Sequence, residues 1–153
     1  MAETDLDPGR AQLERLIDEF TPEVAAVGRG ALARLERRLP GAEVLVYDAY
    51  NALAIGLGVG GGRKGLFLHL PLYPRWVNLG FHLGSRLDDP EGLLEGAGSS
   101  VRHIRLKAPE DIDLPGVDRL IGLAADQAGF TPGEAAPPVR IMPWNGGKRP
   151  RRP

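Results

Sequence analysis

The hydrophobic period of the chain switches from helical to strand-like at Pro40-Gly41, and that change constrains the fold more than any other feature. Before it, apolar residues recur at helical spacing; after it, they alternate or form short runs, as strands do. From Arg10, the residues Leu13, Leu16, Ile17 and Phe20 share one helical face. Thr21-Pro22 then supplies an N-cap residue and a first-turn proline for a second helix through Val24, Val27, Ala31, Leu35 and Leu39. Gly28 and Gly30 weaken its middle, since glycine costs about 1 kcal/mol in a helix interior. The apolar stripe is suited to lie on a sheet.

Beyond Gly41 the blocks "EVLVYDAY", "LAIGLGV", "GLFLHLPLY" and "WVNLGFHL" follow one another with turn formers between them, which predicts an antiparallel meander. In the third block Leu66, Leu68, Leu70 and Leu72 are expected to oppose Phe67, His69 and Tyr73. In the fourth, Val77, Leu79, Phe81 and Leu83 oppose Trp76, Asn78 and His82. One sheet face is therefore aliphatic and the other aromatic and polar. Residues 85–100 read as an excursion with a short helical turn around 91–94, and "VRHIRLK" as the last strand. Val117, Leu120, Ile121 and Ala124 mark a closing helix that ends near Gly129. The expected class is α+β: an antiparallel β-meander packed against N-terminal and C-terminal helices, one domain over 10–129. Residues 130–153 are rich in proline, glycine and arginine and read as a flexible tail, with Trp144 as an aromatic that could dock.

Composition narrows the function classes. A chain of 153 residues, 42% hydrophobic, suits one domain with a real core. With no cysteine there is no disulfide, no thiolate nucleophile and no cysteine-ligated zinc or iron–sulfur site. A net charge of −1 supplies no overall field toward nucleic acid or an anionic membrane. The four basic residues of "GGKRPRRP" would give only weak, salt-sensitive nucleic-acid contacts. "MAETDLDPGR" is acidic with no apolar segment behind it, and no apolar run is long enough to span a bilayer, so a cytoplasmic location without a membrane partner is expected.

Two glycine loops are candidates for anion grips. "GGGRKG", 60–65, matches G-x-G-x-x-G, but that fingerprint needs a helix to begin at its third glycine, and "LFLHLPL" follows with strand periodicity instead. It reads as a hairpin loop. In "LLEGAGSSVRHIRLK", Gly96, Gly98, Ser99 and Ser100 could present a nest of N–H groups and hydroxyls with Arg102 beside it, or simply turn the chain into the last strand.

The other candidates lie on the polar sheet face. The three histidines, His69, His82 and His103, all fall on it, which opens a three-imidazole site for zinc or iron. Tyr47, Tyr50, Tyr73, Arg75, Trp76 and Asn78 could line a cavity for a small amphipathic or carboxylate ligand, or cap the core edge with their polar ends in water. There is no G-x-S-x-G elbow and no H-E-x-x-H, and nothing selects a catalytic residue.

"VYDAYNALAIGLG", "LPLYPRWVNLGF", "DDPEGLLEGAGSSVRHIRL" and "DIDLPGVDRLI", in that order, resemble the YdhG-like domain of unknown function of small bacterial proteins, over roughly 13–128. The resemblance implies a compact α+β domain with an antiparallel sheet against terminal helices. One branch of that family is linked to iron handling in a frataxin-like manner, which implies an acidic early helix. Glu14 and Asp18 stand at i,i+4 here, with Asp7, Glu19 and Glu23 nearby, but the strands add only Glu43 and Asp48. The expectation is a non-enzymatic module binding a small ligand or a metal such as iron or zinc, with a frataxin-type iron chaperone as the alternative. An exposed hairpin edge could also pair two copies into a homodimer.

Overall fold

The computed structural model describes residues 7–134 and 136–153. Helices α1 (Pro8–Ile17) and α2 (Pro22–Arg38) lead into strands β1 (Glu43–Asp48), β2 (Leu53–Gly58), β3 (Leu66–Leu72), β4 (Val77–Phe81) and β5 (Arg102–Leu106). Helix α3 (Pro115–Ala128) and a short strand β6 (Arg140–Met142) complete the order. The sheet runs β5-β4-β3-β2-β1-β6. Its first five strands form the expected antiparallel meander, and β6 joins β1 in parallel.

The helices begin and end where their caps dictate. Asp7 accepts the Gly9 N–H at 3.0 Å and Thr21 the Val24 N–H at 3.3 Å, and Pro8, Pro22 and Pro115 occupy first turns. Gly129, at φ 74°, closes α3 in the left-handed conformation. Leu13, Ile17, Leu32, Leu35, Leu120 and Ile121 of the helices pack in one buried cluster with the aliphatic rows of β1 to β4. Gly28 lies so close to the sheet that a Cβ there would sit 2.7 Å from Leu72 Cδ2. The residue that weakens the helix is thus what lets it approach β3. No helix among the described residues is long and apolar enough to cross a membrane.

Three details depart from the sequence reading. First, the β2–β3 register shifts between Leu57 and Gly58, so that Leu57 pairs with Leu68 but Gly58 with Leu66. The extra residue reverses the faces of the strand's start. Phe67 joins the core and meets Phe130 at 5.8 Å, while the Leu66 side chain lies over Gly56 on the opposite face. Second, residues 91–94 form no helix; the Asp89 carboxylate instead accepts the N–H groups of Leu93 and Leu94, each at 2.9 Å. Third, the segment expected to be a flexible tail supplies β6, buries Val139, whose N–H is held by Asp7, and folds its basic end back onto the domain.

Of the two edge strands, β5 and β6, the first is short and partly covered. On β5, His103 exchanges both backbone hydrogen bonds with Glu95 at 2.8 and 2.9 Å, so little of the edge remains for a second copy to extend.

Candidate functional site

The face of the sheet away from the helices is organised by one cross-strand row, Leu45, Gly56, His69, Gly80 and His103, fixed by the pairing register. Glycine on both sides of His69 leaves its ring room to lie flat. A Cβ on Gly80 would fall 2.1 Å from His69 Cε1, so the imidazole occupies the space a side chain there would need. The His69 and His82 rings meet edge-on with centroids 4.8 Å apart. Burial, and then the neighbouring charges of His82 and His103, push the His69 pKa down to about 4; burial also lowers that of His82.

The register brings two of the three histidines together and leaves the third apart. His103 lies two strands from His69, roughly 10 Å of sheet, with its Nε2 3.7 Å from Glu95 Oε1. Among the described residues no three His, Asp or Glu side chains gather as a metal-ligand set.

A hollow of about 480 Å³ opens where the start of α2 meets the ends of β4 and β5. Val24, Val27 and Leu106 give it an apolar floor. Trp76, Arg75, Arg105 and Lys107 form its walls. The Arg105 guanidinium stacks on the Trp76 indole, 4.3 Å from the ring centroid, and Tyr73 supports the same indole at 5.4 Å. Among the described residues none of Arg75, Arg105 and Lys107 has a carboxylate within 4.0 Å. Glu23, on the same rim, stays beyond that distance.

The remaining expected residues are engaged elsewhere. Tyr47 belongs to a separate hollow of about 190 Å³ with Arg63, His69 and His82, not to the cleft that holds Arg75 and Trp76. Tyr50 is half exposed beneath the Arg149 guanidinium, 5.7 Å from its ring. In the glycine–serine loop, Ser85 Oγ donates to Ser99 O and the Ser85 N–H to Ser100 O, each at 2.9 Å. Arg102 spends its guanidinium on the carbonyls of Gly98, 2.6 Å, and Val101, 2.8 Å. The loop is therefore braced as a turn by its own carbonyls.

The acidic ridge is likewise occupied. Arg29 of α2 holds Glu14 at 2.6 Å and Asp18 at 2.5 Å. Lys148 joins Glu19 to Asp48, at 2.7 and 2.9 Å, and Arg140 lies 3.4 Å from Glu43. Arg151, only 4% exposed, donates to Asp48 Oδ1 at 2.8 Å and to the Ala49 carbonyl at 2.6 Å. The basic end of the segment expected to be a flexible tail, with at most weak nucleic-acid contacts, thus forms an internal clasp over the β1–β2 turn and the α1–α2 turn.

Sequence reasoning identified Arg75 and Trp76 but passed over Arg105, Lys107 and Arg63. A signal for Arg105 was present, because alternation with the core-facing Ile104 and Leu106 puts it on the aromatic face. Lys107 follows the strand, and it meets α2 only through the tertiary fold, which no local pattern encodes. No family model, curated protein or solved structure matches the chain.

Proposed function

We propose that the protein is a binding or carrier module for a small amphipathic carboxylate, held in the cleft between α2 and the β4–β5 end. The observation that carries this reading is the concentration of three cations, without acidic partners among the described residues, around an apolar floor and an indole. Unpaired cations at the rim of an apolar cleft suit a ligand with one anionic group and an apolar body, since the body gains from leaving water while the charge stays at the edge. Arg105, pre-oriented by Trp76, presents a planar fork that matches a carboxylate, and Arg75 and Lys107 add charge around it. The iron-chaperone alternative has less support, because Arg29, Lys148 and Arg151 already neutralise the carboxylates it needs.

Phenylacetate and its uncharged analogue phenylethanol test this by thermal unfolding and tryptophan fluorescence. A ligand at about 100 times its Kd stabilises the folded state by roughly 2.7 kcal/mol. The expected result is a rise in Tm with phenylacetate alone, lost in Arg75→Gln/Arg105→Gln. Equal shifts with both probes, or with neither, would count against the proposal.

A further inference from the structure

Among the described residues four buried side-chain polar atoms make no hydrogen bond: Tyr47 Oη, His69 Nδ1, Asn78 Oδ1 and Arg151 Nε. Two of the four, Tyr47 Oη and His69 Nδ1, belong to residues that line the smaller hollow. Buried polar atoms are almost always satisfied, because leaving one bare costs about 1–3 kcal/mol. The two exceptions at the hollow call for a molecule that completes them.

The shape of the hollow restricts that molecule. Its floor is the Ala54 methyl group and the Leu66 side chain that fills the space over Gly56, and its walls include the Tyr47, His69 and His82 rings. About 190 Å³ is room for roughly six waters at about 30 Å³ each, or for one six-membered ring with a small substituent. An apolar floor between ring walls favours a planar occupant, which can lie against those rings.

Charge restricts it further. The phenol hydroxyl and the imidazole nitrogens between them donate and accept. The one cation, Arg63, is exposed and sits 5.9 Å from the Tyr47 ring centroid, at the mouth rather than the floor. Desolvating an anion against a neutral, partly apolar wall costs more than desolvating an amide that can use both a donor and an acceptor. We infer that the hollow walled by Tyr47, His69 and His82 is a second binding site, for an uncharged planar one-ring molecule carrying an amide-like donor–acceptor edge. It shares no lining residue with the cleft, so it stands or falls independently of the carboxylate reading.

Benzamide and benzoate, isosteres that differ in charge, decide the matter on the intact chain. With only three histidines, each imidazole Cε1–H signal can be followed separately by NMR, alongside the Trp76 indole N–H as a reporter of the cleft. Millimolar benzamide should shift His69 and His82 while leaving Trp76 unmoved. Tyr47→Phe, which removes only the hydroxyl, should weaken that binding about tenfold, the worth of one hydrogen bond of about 1.4 kcal/mol. His82→Gln should weaken it as well, which guards against a fold defect peculiar to one variant. Benzoate shifting His69 and His82 as strongly as benzamide would overturn the assignment. So would the absence of any shift, which would mean that the hollow holds water only, or full retention of benzamide binding in Tyr47→Phe.

Discussion

The C-terminal clasp and the β4–β5 cleft use the same side chains in opposite ways. In the clasp, Arg151 and Lys148 converge on Asp48, and Arg151 is buried to 4% exposure. In the cleft, Arg75, Arg105 and Lys107 converge on no acid among the described residues and remain exposed. A buried cation must be matched within the chain, because desolvation would otherwise exceed any gain. An exposed cation carries no such debt and keeps its charge for something else. The contrast separates a structural use of arginine from one available to a ligand.

The largest effect should come from breaking the clasp. Arg151→Ala strips a partly buried Asp48 of one of its two cations, and loss of such a partner costs about 3–5 kcal/mol. Urea denaturation should show the midpoint falling with little change in slope. A loss under about 1 kcal/mol, the range of exposed ion pairs, would place the clasp with surface salt bridges.

Acid should dismantle the molecule in two separable windows. Unfolded His69 takes up its proton near 6.5, whereas the folded residue does so only near 4. The unfolded state therefore binds more protons between these values, and stability falls as pH drops through that window. For Asp48, burial alone would raise the pKa, but the hydrogen bonds and charges of Lys148 and Arg151 outweigh it and hold the carboxyl below its ordinary value. Its contribution is complete above the usual carboxylate range and is lost as pH falls through the lowered folded value. Stability measured against pH should show a smaller first step in His69→Gln, with His82, whose pKa burial also lowers, supplying the remainder, and should lose the second step in Asp48→Asn.

A smaller effect is expected at Gly80. Adding a methyl group drives the His69 ring from its place, and overpacking of this kind costs about 1–3 kcal/mol. The displaced imidazole should titrate closer to its ordinary value, which NMR of the histidine signals would show. The smallest effect on stability belongs to the cleft. Arg75→Gln and Arg105→Gln should change unfolding free energy by no more than about 0.5 kcal/mol, as exposed substitutions do, while removing phenylacetate binding. A large destabilisation by either would erase the distinction between cleft and clasp.

Much of the fold was legible because its signals are local. The caps at Thr21 and Gly129, the prolines of the first turns and the alternation along β1 to β5 each depend on neighbours a few residues away. The Leu66 and Phe67 reversal was not legible, since a bulge is set by how β2 and β3 meet and leaves the alternating pattern of β3 intact. The clasp was missed for a related reason. Residues 130–153 carry the composition of a tail, and what anchors their basic end is Asp48, 103 residues before Arg151. At the site, sequence grouped Tyr47 with Trp76 because both are aromatic. The register places Tyr47 on β1 and Trp76 just before β4, beside different hollows.

Sheet order also sets an order in time. β1 can pair with β2 across a four-residue turn, but its other edge waits for β6, some ninety-five residues further on, where Leu45 meets Arg140. Closing so long a loop is slow compared with zipping a hairpin. The meander and its helices should therefore assemble around an edge that stays bare until the last strand arrives. In single-tryptophan variants, refolding followed at Trp144, two residues beyond β6, should lag behind refolding followed at Trp76, next to β4.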